Sequence, residues 1–169
     1  LSNIDNAIYT GYVEGKNLDI SKFVNFKSIG RSNFKFDING RGFTSEYLDS
    51  QVTGKIEDIS FNNQILQKLE IFGQVKDQVF NGELTLNDPN LNLDFNGLID
   101  YSNDLIDFNF NSSVKFANLF NLGFNDNGIL NGDFIVKLRG NNIKDLIGDL
   151  TLQKIKYQNI DRTIEFKDL

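Results

Sequence analysis

Phe80, Gly82, Leu84 and Leu86 occupy every second position, with Asn81, Glu83, Thr85 and Asn87 between them. Such alternation puts apolar groups on one face of a strand and polar groups on the other. Asn87-Asp88-Pro89-Asn90 interrupts the pattern with residues suited to a turn, because Asx side chains bond their own backbone and Pro presets φ. Alternation then resumes, with Leu91, Leu93, Phe95, Gly97, Ile99 and Tyr101 on one side and Asn92, Asp94, Asn96 and Asp100 on the other; Leu98 alone breaks it. The stretch from Phe80 to Tyr101 therefore predicts a β-hairpin with one apolar and one wet face.

The rest of the chain repeats this theme more loosely. Ile4-Asp5-Asn6-Ala7-Ile8 leads into a strand at Tyr9–Val13, and Leu18 and Ile20 continue its alternation after Gly15-Lys16-Asn17. Asn33–Asn39 alternates without exception up to Gly40-Arg41-Gly42, a turn or bulge. Between Leu48 and Phe61 the apolar phase slips at Glu57-Asp58. A one-residue slip would turn the strand over, so a bulge is expected there. Leu66–Val75 follows the turn Asn62-Asn63-Gln64, and Ile106–Phe116 is a long strand with its apolar side on even numbers. Ala117–Leu122 loses the period of two, and Asn125-Asp126-Asn127-Gly128 carries the Asn-Gly signal of a type I′ turn. Leu130 to Leu138 alternates again. Asn141–Gly148 is the best helix candidate, with an Asn cap and a terminal Gly. Leu150, Leu152, Ile155 and Tyr157 make a further strand, and Ile160-Asp161-Arg162-Thr163 turns into a final one at Ile164–Leu169.

These elements predict an all-β antiparallel meander of roughly ten to twelve strands with at most one or two short helical turns. A weak repeat, apolar-x-Gly-x-apolar, recurs around Gly11, Gly54, Gly73, Gly82, Gly97 and Gly132, each glycine in phase with the apolar face. Glycine weakens a strand unless it permits a bend or a close approach, so a row of them on one face predicts a sheet curled toward that face.

Three arrangements could use the apolar face. It could be the core of a two-sheet sandwich. It could face lipid as the outside of a membrane barrel, which the missing aromatic girdle and short strands weaken. Or it could line an open groove for lipid chains. Phenylalanine accounts for 16 of the 169 residues while Trp and Met are absent, and no amphipathic helix is available as a covering layer, both of which favour the groove. Its lining would be Phe34, Phe36, Ile38, Val52, Ile56, Ile71, Val75, Leu84, Leu86, Leu91, Leu93, Phe95, Ile99, Phe108, Phe110, Val114, Phe116, Phe134, Val136, Leu138, Leu150 and Leu152.

The net charge of −6, with 17 basic residues scattered singly, offers no phosphate-tracking stripe, so nucleic acid is not an expected partner. Cysteine and histidine are both absent, which removes disulfides, thiol nucleophiles, the commonest general base and the commonest metal ligands. Asp100, Asp104 and Asp107 cluster around Tyr101-Ser102-Asn103, a composition that hairpin ends favour for turn chemistry. Asn125–Gly128 has letters of a calcium loop without the rest, and Asn111-Ser112-Ser113 matches a glycosylation sequon, a pattern common by chance. No catalytic constellation, metal site or cofactor is expected. The chain has no signal peptide or apolar run of membrane-spanning length and reads as a single segment, residues 1–169, of something longer.

Asp88-Pro89-Asn90-Leu91-Asn92-Leu93-Asp94-Phe95-Asn96-Gly97-Leu98-Ile99-Asp100-Tyr101 is followed in order by Val114-Lys115-Phe116-Ala117-Asn118-Leu119, Leu130-Asn131-Gly132-Asp133-Phe134 and Gly140–Gly148. Together these resemble the β-rich region of the TamB family, the translocation and assembly module proteins, over most of the chain. The resemblance implies an open, apolar-lined repeating groove, the folded-over taco of AsmA-like and bridge-like lipid transfer proteins. It also implies a periplasmic location, in a protein anchored to the inner membrane and reaching an outer-membrane partner of the Omp85 type, TamA or a relative, through parts outside this segment. The implied role is movement of phospholipid acyl chains between the membranes in support of outer-membrane biogenesis. The alternatives are a scaffold that assists outer-membrane protein assembly by strand pairing and a structural sandwich module of a surface protein.

Overall fold

The structure, a computed structural model, describes residues 6–44 and 47–168. Its strands are β1 (Ile8–Asp19), β2 (Ile29–Arg41), β3 (Asp49–Phe61), β4 (Gln64–Lys76), β5 (Val79–Asn87), β6 (Leu91–Asp100), β7 (Asp107–Asn118), β8 (Ile129–Arg139), β9 (Ile147–Gln158) and β10 (Thr163–Asp168). All ten pair antiparallel in sequence order within one sheet, which does not close into a barrel. The one helix among the described residues, α1 (Ser21–Val24), lies between β1 and β2. The chain is thus an all-β antiparallel meander, open at β1 and β10. Ile4, Asp5 and Leu169, at the outer ends of the first and last predicted strands, lie outside the described residues.

The hairpin at Phe80–Tyr101 forms as β5 and β6. Asp88 N–H donates to the Leu91 carbonyl at 3.0 Å, Leu91 N–H returns to Asp88 O at 3.2 Å, and Asp88 Oδ1 accepts from Asn90 N–H at 2.7 Å. The other carboxylate oxygen of Asp88 accepts Gln67 N–H at 2.9 Å, tying the turn to β4. The phase slip at Glu57-Asp58 coincides with a register shift: Phe34 pairs with Ile56 while Asn33 pairs with Asp58, leaving Glu57 over. β4 makes the matching adjustment at Lys68, which adopts φ 60°, so Leu66 and Leu69 stay on the face of Ile59 and Ile56. Lys154, at φ 51°, does the same between Leu152 and Ile155.

Three expectations need correction. Asn141–Gly148 is not a helix but the β8–β9 connection, whose residues Ile147 and Gly148 already belong to β9. The Asn141 side chain does not cap a first turn: it accepts Ile106 N–H and donates to the Asp104 carbonyl instead. Asn125–Gly128 is no type I′ turn. It is the end of a ten-residue connection, 119–128, in which Gly123 takes the positive φ (81°) and Asp126 Oδ1 accepts Gly128 N–H at 2.6 Å. Finally, a bulge in β7 sets Phe116 opposite Asn92 while Val114 pairs with Leu93, so the apolar phase passes from Val114 to Ala117 and Phe116 leaves it.

The sheet curls strongly. Strands lie about 4.8 Å apart, so flat spacing would hold β2 and β8 about 29 Å from each other. Yet Lys27 N–H, just before β2, donates to the Asn141 carbonyl at 2.8 Å, and the rings of Phe26 and Phe108 meet edge-on at 5.4 Å. Asn62, in the β3–β4 turn, likewise donates from Nδ2 to the Leu122 and Gly123 carbonyls at 3.2 and 3.1 Å. The apolar face is on the inside of this curl. Gly82 shows why glycine sits there: a Cβ at this position would lie 2.6 Å from Cα of Gly73 and 2.8 Å from the Phe80 ring. Gly82→Ala should lower stability by about 1–3 kcal/mol through overpacking, read as a fall in the urea midpoint.

Candidate functional site

The register aligns the apolar side chains into rungs running across the sheet. One rung is Phe34, Ile56, Leu69, Leu86, Leu93 and Val114. The next is Phe36, Gly54, Ile71, Leu84, Phe95, Ser112, Phe134 and Leu152. A third joins Ile38, Val52, Gly73, Gly82, Gly97, Phe110, Val136 and Leu150, and a fourth joins Ser50, Val75, Phe80, Ile99, Phe108 and Leu138. Leu91, Ala117, Leu130 and Tyr157 form a fifth. Every residue proposed as lining falls on one of these rungs except Phe116. Partners in an antiparallel ladder share a face, so the rungs make one apolar surface of the sheet.

This surface is packed on one side and open at its flanks. Phe34, Ile56, Ile59, Leu66, Leu69, Leu86, Ala117 and Leu122 form a buried cluster, with Ile20, Leu84, Leu91 and Leu93 against it. Phe34 stacks on Phe36 with centroids 4.7 Å apart, and Phe95 tilts against Phe110 at 4.5 Å. Leu86 is 2% exposed, whereas Leu150 on β9, Phe166 on β10 and Val13 on β1 are 48%, 43% and 44% exposed. The chain's accessible surface is 10688 Å². A compact protein of its mass, 19.2 kDa, would expose about 8,400 Å². The surplus is what a curled sheet with two free edges leaves to solvent.

Several buried residues escaped the sequence reading. Phe26 and Leu122 are buried from connections, where no period marks them, and Ile106, which the alternation placed at the start of a strand, is buried just before β7. Ile59, Leu66 and Leu69 lie beside the phase slip, and Ile155 beyond the bulge at Lys154; only a consistent correction for both slips would have found them. Ser32, fully buried, satisfies its hydroxyl by donating to the Asp58 carbonyl at 2.9 Å.

The opposite face is polar. Clefts of about 690 and 610 Å³ lie on it, the first floored by Thr53, Lys55, Glu70 and Phe72 and the second by Glu83, Asp94, Asn96, Asn111 and Asp133. Cross-strand ion pairs lace it, among them Lys115–Asp94 at 2.6 Å and Lys55–Glu70 at 3.1 Å. Of the acidic cluster, Asp107 holds Arg139 through two bonds of 2.6 Å, and Asp100 Oδ1 accepts Ser102 N–H and Oγ–H, which is turn and ladder chemistry. No group of acidic residues among those described is placed to hold a metal ion, and no described helix is long and apolar enough to cross a membrane. Comparison with protein families, with curated proteins and with solved structures finds no match.

The polar face also sets a pH response. The hydrogen bond from Arg139 holds Asp107 below the usual carboxylate range. Gln74 does the same for Asp49, Ser113 and then Lys154 for Asp133, and Ser21 for Asp19. A carboxylate with a depressed folded pKa contributes stability above its unfolded value, about 3.9, and loses it as pH falls through the folded one. Melting temperature should therefore be level near neutrality and decline below about pH 4. Asp107→Asn should make that decline shallower in melts recorded across the same pH series.

Proposed function

We propose that this chain is a segment of a TamB-like protein of the periplasm, anchored to the inner membrane and reaching the outer, whose curled sheet carries phospholipid acyl chains along its apolar inner face. An Omp85-type outer-membrane partner, TamA or a relative, would be met by other parts of such a protein, and no catalytic step is involved. The observation that carries the reading is the continuity of the rungs: apolar side chains run in register across the sheet from β2 to β9, inside a curl that ends in free edges. An acyl chain gains about 0.8 kcal/mol for each methylene taken out of water. A continuous apolar track therefore holds it without a polar site, while the head group stays in water at the open edge.

The test is direct. The purified chain is extracted and its lipid content measured by mass spectrometry, then titrated with a fluorescent fatty acid. Co-purifying phospholipid, displaced by the probe in competition, is the expected result. A lipid-free chain that binds no probe ends the reading.

The free edges favour a second reading, a scaffold that receives unfolded strands of outer-membrane proteins by backbone pairing. Such a scaffold would tolerate Phe95→Asp and lose activity when Thr10 or Tyr12 on β1 becomes proline, because proline removes a ladder donor. Capture of a β-strand peptide by these variants separates the two.

A further inference from the structure

We infer that residues 20–28 form a clasp over the apolar face that opens independently of the sheet and gates entry of acyl chains; the gating role rests on the lipid reading. The segment joins two neighbouring strands, yet it crosses the concave side to reach the far end of β8. At its root, Ile20 N–H donates to the Gly30 carbonyl at 3.0 Å, and Ile20 packs on the buried cluster. Beyond that, α1 is four residues long with no side-chain cap at its start, and Asn25, at φ 48°, turns the chain inward. Phe26, 8% exposed, then sets its ring edge-on to Phe108, a member of the fourth rung.

The far side is a socket assembled without the clasp. Asn141 Oδ1 accepts Ile106 N–H at 3.2 Å and its Nδ2 donates to the Asp104 carbonyl at 2.6 Å, which fixes Asn141 from the β6–β7 connection. Its carbonyl is thereby aimed at Lys27 N–H, which it accepts at 2.8 Å. Ile143 N–H completes the latch by donating to Ser28 Oγ at 3.1 Å. Two hydrogen bonds and one aromatic contact thus hold the segment to the far side, with the Ser28 carbonyl accepting Asn62 N–H at 2.7 Å on the near side, whereas each strand beside it is held along its whole ladder. Elements with few contacts open at lower free energy than the ladders around them. Release would draw Phe26 off the fourth rung and uncover the interior beneath it.

Two measurements test this. By NMR hydrogen exchange, the Lys27 and Ile143 amides should exchange about tenfold or more faster than amides of the β4–β5 ladder. Exchange of both sets together, by global unfolding, overturns the clasp. Because the chain has no cysteine, the double variant Ser28→Cys, Ile143→Cys can close the latch through one disulfide. The oxidised form should load a fluorescent fatty acid about tenfold or more slowly than the same protein after reduction. Equal loading rates in the two forms overturn the gating. If neither form nor the unmodified chain binds the probe, the lipid reading and its gate fall together, and the exchange measurement alone decides whether the clasp opens.

Discussion

Phe95→Asp abolishes uptake of an acyl-chain probe and leaves the chain folded. Phe95 stands in the middle of the second rung, between Leu84 and Ser112, partly buried, with the Phe110 ring 4.5 Å away. A carboxylate at that point must be desolvated by any hydrocarbon passing over it, a cost that exceeds the gain from several methylenes. Probe affinity should fall by about a hundredfold or more, equivalent to roughly 3 kcal/mol. The fold should lose less than the 3–5 kcal/mol typical of removing a fully buried Phe, because water already reaches this part of the face. Leu93→Lys, on the adjacent rung and paired with Leu86, should lower stability as well as uptake, because Leu93 packs against the buried cluster. The checks are probe titration and urea unfolding of the same preparations. Complete unfolding of Phe95→Asp under conditions where the parent is native would make the face a packed core and nothing more.

Leu86→Ala produces the opposite profile. Leu86 is 2% exposed, paired with Leu69 and Leu93 at the centre of the buried cluster. Emptying it should cost about 2–5 kcal/mol, a large part of the 5–15 kcal/mol that holds a domain of this kind. The urea midpoint should fall steeply with an unchanged slope. Probe affinity, measured where the variant is still folded, should change little. A cost well under 1 kcal/mol would mean that the curl is not packed at this end. Two leucine- and phenylalanine-bearing rungs of one sheet thus carry different loads: the rung of Leu86 closes the fold, and the rung of Phe95 continues toward the exposed flank at β9 and β10.

Much of this was legible in the alternation. A period of two is a local property, and in a sheet whose polar side is wet it must be kept strand after strand, so it specified the strands, the Asp88-Pro89 hairpin and the shared face of nearly all the lining residues. Where the alternation slipped visibly, at Glu57-Asp58, a bulge was foreseeable. In β7 the apolar residues Val114, Phe116 and Ala117 allow either phase, and pairing with β6 chose Ala117. The Asn-Gly and Asn-to-Gly signals at 125–128 and 141–148 were local as well, and there long-range demands prevailed: Asp126 accepts the Tyr157 hydroxyl, and Asn141 bonds Ile106, Asp104 and Lys27.

By itself, then, the amino-acid sequence determined the all-β meander and the two faces of the sheet. Only the tertiary structure decided how far it curls, which connections fold over the apolar side, and which rungs are packed while others remain open. The reason is range: alternation and turn residues act between neighbours in the chain, whereas Phe26 against Phe108 and Lys27 against Asn141 meet across at least four intervening strands. No periodicity encodes such contacts; they follow from the summed twist and curl of every strand between them.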